Sequence, residues 1–384
     1  MIKLIIDGYY NKELVSLIDR EKLPVTHIIV HVPQNPIGNS SIFLPRTLPT
    51  FNEFKEYTKV IQDHGIIPIA GIDSTCQGNL EAHIQQNQAI LTLFEQLFEM
   101  EYKNILVSSP NNIGFVKENL PSTKIYLSYS QYVTSLNRGK ILFEIGADNI
   151  ILHPDIVRYL NVLKNFIKLK QNFKETRDID CILPLNIGCN WGCIHWYQHH
   201  NLQSHRTINS PVFPNQEEIS DIENEFDYPL LYCWRERLEK PENILKSGMI
   251  SPNNIEIYEK LGYEDYVLFI SGFSNEKTLE IIKNYENKQL TMNLNEILNI
   301  PQPYGSYWPN DRVNKSLPIL KPEVMNDFCM NFPYQTHYPS ENEINEYCVE
   351  YVKKLENGDN QERDEILNLT KTKMKIMEKG IIKR

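Results

Sequence analysis

Short apolar segments rich in β-branched residues recur along the first three-quarters of the chain. Most of them are continuous rather than alternating, which is typical of strands buried on both faces of a parallel sheet. The eight segments are Lys3–Gly8, Val25–Val32, Ile66–Ile72, Asn104–Ser109, Lys124–Ser130, Asp148–His153, Asp180–Ile187 and Tyr266–Gly272.

The segments between these predicted strands favour helices. Gln85–Phe98 has apolar residues at three-and-four spacing, Pro154–Leu169 begins with Pro and Asp, and Asn275–Tyr285 has one apolar face. Eight strands that alternate with helices predict a closed (β/α)8 barrel. A doubly wound open sheet is the alternative, but no glycine-rich phosphate-binding segment follows the first strand.

One connection breaks the alternation. Between Gly188 and Ser251 the pattern predicts no clear helix, and the next predicted helix is Pro252–Leu261. A loop of this length inside a compact domain is usually functional or disordered. Because it contains three cysteines, four histidines and three of the four tryptophans, we expect a functional insertion. The acidic stretch Asn215–Asp227 is the part for which disorder stays open.

The composition changes after about Lys288. Pro301–Pro339 is dense in proline and aromatic residues and predicts an irregular arm. A capping box opens at Ser340 and predicts a helix through Leu355, which a last charged helix follows. We therefore predict a barrel of residues 1–287, with the insertion at 188–251, and a C-terminal arm with helices at 288–384.

Charge and cysteine usage narrow the class of protein. A net charge of −10 argues against a large nucleic-acid interface, although a small basic patch in a pocket is not excluded. No apolar stretch approaches the roughly 18 residues that cross a bilayer, and the N-terminal segment is too short for a signal peptide. We expect a cytoplasmic protein without a membrane segment.

The seven cysteines argue against a disulfide framework. Metal binding or burial in the core are the roles that remain for them.

Polar residues follow most of the predicted strands. In a (β/α)8 barrel the active site lies at the carboxyl ends of the strands. These positions predict one polar ring, although strand-end Ser and Asn often only satisfy loop backbone groups. Its members are Asp7, His31, Cys76, Ser108, Ser109, Ser128, Ser130, His153, Asn186, Cys189 and Ser271. Among them, His31, Ser130 and His153 are candidates for positioning a substrate.

The sharpest signal is the pair Cys189 and Cys193, with three residues between them, and Cys233 about forty residues later. Thiolates are soft ligands that suit zinc or iron–sulfur clusters. Trp196 stands where the spacing of radical-SAM enzymes would need a cysteine, which argues against that class.

The fourth ligand is not fixed by this motif. We predict Cys76, because it leaves the third strand at the catalytic face, whereas Cys181 opens the seventh strand and should lie at the opposite end. His195 and His199 are four residues apart, as zinc ligands on one helix face can be. A zinc site of three cysteines and one histidine is the main competitor, and a loop of unliganded residues is the plainest alternative. Cys329 and Cys348 in the C-terminal part are expected to be core residues.

Taken in order, these residues resemble the collagenase-like U32 peptidase family over about residues 65–300. The Cys-rich loop is the most specific portion. The matching stretches are Asp73–Cys76, Ser128–Ser130, Gly146–Asp148, Asn186–Cys193, His199–His205, Cys233, Lys240–Ser247, Ile250–Asn254 and the strand Tyr266–Gly272.

The resemblance implies a (β/α)8 barrel and, in several members, a 4Fe–4S cluster on four cysteines. It also implies oxygen-independent hydroxylation of quinone precursors or RNA bases, with prephenate as hydroxyl donor. Cys189, Cys193 and Cys233 match cluster cysteines in kind and order. The first pair is spaced more tightly than in the hydroxylases, and Ile250-Ser251-Pro252 lacks the Arg-Pro-Glu of close relatives. The resemblance therefore supports cluster binding better than any one substrate.

We therefore expect an iron–sulfur-dependent barrel enzyme that modifies an organic substrate without O2, with hydroxylation the first candidate. Arg206 and Arg235 in the Cys-rich loop are candidates to bind a carboxylate-bearing donor, or else ordinary surface charges. The alternatives are a zinc-dependent peptidase or peptide-tailoring enzyme, and a cluster-bearing subunit that partners a related barrel. The substrate would be a small molecule or a peptide. A serine protease is disfavoured, because no predicted strand-end serine lies in a GxSxG elbow.

Overall fold

The computed structural model describes residues 2–8, 10–44, 48–212, 228–300, 315–333 and 340–382. Eight parallel strands pair in chain order and close into one barrel, which confirms the predicted (β/α)8 fold. The strands are β1 Lys3–Asp7, β2 Val25–His31, β3 Ile67–Gly71, β4 Asn104–Val107, β5 Lys124–Leu127, β6 Asn149–Ile151, β7 Asp180–Pro184 and β8 Asp265–Phe269.

Helices cover the outside of the barrel and form the insertion and the C-terminal part. Around the barrel they are α1 Lys12–Glu21, α2 Phe51–Asp63, α3 Ile84–Glu99, α4 Pro110–Asn119, α5 Leu136–Glu144 and α6 Leu160–Phe173. The insertion carries α7 Trp196–Thr207, α8 Tyr228–Glu239 and α9 Glu242–Lys246. Beyond it lie α10 Ile255–Leu261, α11 Asn275–Glu286, α12 Pro322–Met330, α13 Glu341–Val352 and α14 Asn360–Ile382.

The strands are apolar throughout because each one buries both of its faces. Alternate residues point into the barrel and form its interior core, while the intervening ones pack under the helices. The inward set takes at least one residue from each strand, namely Ile5, Ile29, Ile69, Leu106, Tyr126, Ile151 and Ile182, and from β8 both Val267 and Phe269. The barrel is therefore filled with side chains, and its chemistry must lie at one end.

The insertion is where the sequence pattern was wrong. The pattern predicted no clear helix between Gly188 and Ser251, but the described residues of this segment form three helices. Hydrophobic periodicity did not predict helix α7 because this helix has no apolar stripe. Apart from Trp196, its buried residues are polar, among them Gln203 and Thr207. The acidic stretch Asn215–Asp227 lies outside the described residues.

Other helix boundaries moved where proline opens a turn. The predicted helix Pro154–Leu169 is a 3-10 turn at Pro154–Ile156 followed by α6 from Leu160. Likewise Pro252–Leu261 is a 3-10 turn, Pro252–Asn254, followed by α10. The predicted arm Pro301–Pro339 contains α12 in its described part, 315–333, so that part is not wholly irregular.

The C-terminal helices support the insertion. The capping box predicted at Ser340 is confirmed: its hydroxyl accepts from the Glu343 amide and the Glu343 carboxylate accepts from the Ser340 amide. In α14, Lys371 Nζ lies 2.6 Å from Glu239 Oε1 of α8. The predicted division at residue 287 stays a prediction. No helix in the described ranges is long and apolar enough to cross a membrane.

Candidate functional site

Three buried ionisable residues meet at the carboxyl ends of the first three strands. Asp7 ends β1, His31 ends β2, and Asp73 follows β3. His31 Nε2 lies 3.0 Å from Asp7 Oδ1, and His31 Nδ1 lies 3.6 Å from Asp73 Oδ1. A charged imidazole between two carboxylates balances charge that would otherwise be costly to bury.

The His31 ring fits because its neighbour across the sheet is glycine. Gly71 pairs with His31, and a Cβ at Gly71 would lie 2.7 Å from His31 Nδ1. Burial lowers the pKa of His31, but its hydrogen bond to Asp7 and the attraction of the Asp7 and Asp73 carboxylates outweigh it and raise this pKa to about 10. Burial would raise the pKa of Asp73, yet His31 and two serine hydroxyls hold it below its usual value.

A chain of serine hydroxyls extends from Asp73 across the mouth of the barrel. Ser128 Oγ donates to Asp73 Oδ2 at 2.8 Å, and Ser40 Oγ lies 3.1 Å from the same oxygen. Ser130 Oγ lies 2.9 Å from Ser40 Oγ and 2.6 Å from Ser108 Oγ.

We call Asp7, His31, Asp73 and these four serines the carboxylate–serine network. His31 and Ser130, expected to position a substrate, are buried inside it and bonded to protein groups. The side-chain partners of the Ser130 hydroxyl are the Ser40, Ser108 and Ser128 hydroxyls, which are not bases that would make it a nucleophile.

Trp196, the first residue of α7, covers this network. Its indole Nε1 donates to the Ser130 carbonyl oxygen at 3.1 Å. Its ring centroid lies 4.0 Å from that of His153 and 4.5 Å from that of His200. Helix α7 therefore closes the mouth of the barrel with an aromatic side chain flanked by two buried histidines.

The hydrogen bonds of the two histidines assign their neutral tautomers. His153 Nδ1 accepts from the Asp155 amide at 3.1 Å, so Nε2 carries the proton. His200 Nδ1 donates to the Ser40 carbonyl oxygen at 2.7 Å, so its Nε2 is a bare acceptor. Both Nε2 atoms are buried and have no hydrogen-bond partner in the part of the chain that the structure describes. Burial lowers the pKa of both rings, that of His200 to about 3, so both stay neutral near pH 7.

The structure brings Cys189, Cys193 and Cys233 together. They line one small cavity beside Trp196, which we call the cysteine cavity. Its remaining lining consists of Ile42, Asn190, His195, Trp196, His199, His200 and Pro229. Cys189 and Cys193 follow the exit of β7, whereas Cys233 comes from α8 on the far side of the insertion. The fold thus closes the long gap in sequence between the pair and the third cysteine.

A buried arginine supplies positive charge to this cavity. Desolvation and the neighbouring thiols raise the pKa of Cys189 and that of Cys193, the latter to about 11, while Arg237 opposes the rise at both. The Arg237 guanidinium is 1% exposed and donates to the Gly188 carbonyl oxygen. Its Nη1 has no hydrogen-bond partner among the described residues.

The arginine of α8 that faces the cysteines is Arg237, which sequence reasoning missed, and not Arg235. Arg235 lies over the Tyr232 ring, 4.8 Å from its centroid, and pairs with Glu236 at 3.4 Å. Arg206, at the end of α7, does not line the cysteine cavity. The signal for Arg237 was its spacing: it stands four residues after Cys233 and therefore on the same helix face.

Asp155 is a second residue that sequence reasoning missed as a functional group. Its Oδ2 accepts from the Gly192 amide at 3.1 Å and lies 3.4 Å from the Tyr132 hydroxyl. Burial raises the pKa of Asp155 to about 7. The available signal was its position just beyond β6, at the carboxyl end of the barrel.

Two comparisons with known proteins bear on the chain as a whole. An uncharacterized protease of Methanocaldococcus jannaschii is 24% identical over 256 residues, which cover 66% of this chain and 70% of that protein. The solved structure of a U32 peptidase matches 71% of this chain and 94% of its own with a TM-score of 0.51. The resemblance to the U32 peptidases noted in the sequence is thus supported by one relative named a protease and by a fold shared with a U32 peptidase. At 15% identity, the structural match by itself shows only the shared fold, and no family model matches the sequence.

The other described cysteines lie apart from the cysteine cavity. Cys76 is not among its lining residues. Its neighbour Thr75 bonds instead to Asn201 and Ser204 of α7, at 2.7 and 3.1 Å. Cys181 opens β7, at the opposite end of the barrel from the cysteine pair. Cys329 and Cys348 are buried in the hydrophobic core, as expected.

Proposed function

We propose that this U32 relative is an iron–sulfur-dependent enzyme that modifies an organic substrate without O2, with hydroxylation the first candidate reaction. The observation that carries the proposal is the convergence of Cys189, Cys193 and Cys233 on one cavity at the carboxyl end of the barrel. Barrel enzymes place their chemistry at this end. Three sulfur donors in one place favour a soft metal centre over calcium or magnesium.

The donor set fits a cluster better than a single ion. Within the described ranges, no three His, Cys, Asp or Glu side chains are arranged to hold one metal ion. The thiolates of a 4Fe–4S cluster bind separate iron atoms, so they stand further apart than the four ligands of a tetrahedral zinc. Arg237 would offset part of the negative charge that three thiolates bring. Such a cluster would supply electron transfer or a Lewis-acidic iron for an oxygen-bearing donor.

The protein side chains would enclose and serve this centre. Trp196 and the carboxylate–serine network beneath it fill the mouth of the barrel and exclude water from that side. Asp155 can hold or release a proton at its carboxylate near neutral pH, beside the Gly192 amide.

The approach for a substrate lies on the outer side of Cys193. This residue also lines a groove of about 450 Å³ on the outside of the insertion. Trp191, Tyr232, Lys240 and Lys246 line the same groove, together with Glu236, Glu242 and Glu341. Lys240 pairs with Glu236 at 3.2 Å, whereas Lys246 bonds only the neutral Asn243 and Asn345 side chains among the described residues. The aromatic faces suit a flat molecule, and Lys246 is the ammonium group that could bind a single carboxylate on it. A donor of that kind would reach the centre from this groove, because the barrel itself is filled.

Anaerobic purification with metal and sulfide analysis tests the proposal. We expect brown protein that holds iron and acid-labile sulfide in equal amounts. Stoichiometric zinc without sulfide in anaerobic material would contradict an iron–sulfur centre. Turnover of a candidate acceptor under argon, with the oxygen traced from a labelled donor or from labelled water, then tests the reaction type.

A metal-dependent peptidase or peptide-tailoring enzyme is the second candidate. Asp155 favours it, because a hydrolytic zinc needs a general base beside an open metal position. The M. jannaschii relative is named a protease, and the structural match is a U32 peptidase. Under this alternative, zinc-loaded protein would release peptides from gelatin or casein, and Asp155→Asn would abolish the release while retaining zinc. Iron and sulfide in the protein, with no peptide release, would exclude it.

A further inference from the structure

Three cysteines leave one position of a four-ligand centre unassigned. Three other side chains with a ring nitrogen donor line the cysteine cavity: His195, His199 and His200. All three belong to the start of α7 or precede it directly, within six residues of sequence. Their surroundings differ enough to choose among them.

His195 is held on the outer side of the cavity. Its Nδ1 lies 2.9 Å from Gln198 Oε1, and its ring is edge-on to Tyr232, with centroids 4.7 Å apart. His199 is only half-buried. His200 is 1% exposed and faces Trp196 and Tyr129.

His200, one of the residues that line this cavity, has a bare ring nitrogen. Because Nδ1–H donates to the Ser40 carbonyl oxygen, Nε2 carries a lone pair. That atom is buried and has no hydrogen-bond partner among the described residues. Nearly all buried acceptors in native proteins are satisfied by a protein group, an ordered water or a bound ligand, so this nitrogen is expected to have a partner that the described side chains do not supply.

The bond to Ser40 has the form found at metal sites. A histidine that binds a metal usually donates its other ring N–H to a carbonyl or carboxylate, which fixes the tautomer and aims the free nitrogen. Ser40 is fixed in turn, since its hydroxyl lies 3.1 Å from Asp73 Oδ2. The carboxylate–serine network thus holds the carbonyl that orients His200.

We propose that His200, through Nε2, is the fourth ligand of the centre formed by Cys189, Cys193 and Cys233. This inference rests on the proposed function. It replaces Cys76, which does not line the cavity. A neutral imidazole in place of a thiolate leaves the cluster less negative, so its reduction potential lies above that of the same cluster with four thiolates.

Isotope labelling of the unaltered protein tests the ligand directly. Full-length protein with reconstituted cluster is prepared with natural and with 15N-labelled histidine, reduced, and measured by pulsed EPR. We expect a strong nitrogen coupling that changes from 14N to 15N on labelling. A reduced four-iron cluster without any histidine coupling overturns the inference. Protein without iron and sulfide would instead overturn the proposed function, so the two failures are distinguishable.

Matched variants extend the test to the choice of histidine. His200→Ala is expected to replace the four-iron EPR signal by a three-iron signal, and His200→Cys to restore four irons at a lower midpoint potential. His199→Ala, from the same cavity wall, should keep the four-iron signal and the nitrogen coupling. Circular dichroism confirms that each variant is folded. A His200→Ala protein with unchanged coupling and potential, or loss of the coupling in His199→Ala alone, overturns the assignment.

Discussion

Two buried polar regions lie side by side at the mouth of the barrel, and they are built differently. In the carboxylate–serine network, the carboxylates, the hydroxyls and His31 Nε2 bond one another. His31 Nδ1 has no hydrogen bond among the described residues, but it lies 3.6 Å from the Asp73 carboxylate, which compensates its charge. In the cysteine cavity, His200 Nε2 and the nearby Arg237 Nη1 have no hydrogen-bond partner in the described part of the chain. Burying a polar atom without a partner costs free energy, whereas hydrogen bonds and opposite charges among buried groups offset their desolvation. The carboxylate–serine network is therefore a structural element, which we call the floor of the site. The cysteine cavity, in contrast, has polar groups available to bind a ligand.

The largest effect expected from this contrast is on cofactor content. Changing Cys189, Cys193 or Cys233 to Ala should remove nearly all iron and sulfide and leave the fold intact, because the cavity and not the floor is altered. Cys76→Ala and Cys181→Ala are the matched controls and should retain the cluster. Metal and sulfide assays on anaerobic protein measure this. Loss of the cluster in Cys76→Ala would restore the prediction made from the sequence.

Removing a carboxylate from the carboxylate–serine network should instead lower the stability of the fold. Asp73→Ala leaves His31 with one carboxylate and leaves two serine hydroxyls without their acceptor. Removing one partner of a buried ion pair typically costs about 3–5 kcal/mol. Urea unfolding should show this loss in protein without cluster. A change below about 1 kcal/mol would mean that the network does not stabilise the barrel.

A smaller loss of stability is expected from Gly71→Ala. A methyl group there would press on His31 Nδ1, which it would approach to 2.7 Å. Overpacking of this kind costs about 1–3 kcal/mol. Gly65→Ala is not a suitable control because its φ is +72°, whereas Gly114 has open space for a Cβ and lies in α4. Gly114→Ala is therefore the control, and its free energy of unfolding in urea should equal or exceed that of the unaltered protein.

The most gradual effect is the pH dependence that His31 imposes. Its pKa in the folded protein is raised to about 10, above its unfolded value of about 6.5. The stabilisation is therefore complete below pH 6.5 and is lost as the pH rises towards 10. The free energy of unfolding should fall by at most about 1.4 kcal/mol per pH unit in this window. His31→Gln should flatten the slope, and an unchanged slope would contradict a charged His31.

The sequence was enough to predict the strands because their signal is local. Segments such as Val25–Val32 are apolar and β-branched at nearly every position, and the structure places β2 at Val25–His31. The order of eight such strands then placed Asp7, His31 and Cys189 at one end of the barrel without any knowledge of loops. Features that depend only on chain order and on hydrophobic period were therefore predictable.

The rest depends on contacts between distant segments. The tautomer of His200 is set by Ser40, 160 residues away in sequence, and no local pattern reveals that bond. Helix α7 is stabilised by polar tertiary contacts such as Thr207 with Asn39, so hydrophobic periodicity could not find it. Asp155 and Arg237 acquire their roles only when the insertion folds over the barrel.

The position of Trp196 gives the protein a built-in optical reporter. Its indole touches both buried histidines and lines the cysteine cavity, while Trp191 lines the adjoining groove and Trp234 follows Cys233. A coloured centre bound here would quench the emission of these indoles by energy or electron transfer over a few ångströms. Loading, loss and oxidation of the centre would then be visible as changes in ultraviolet fluorescence, in real time and without a label.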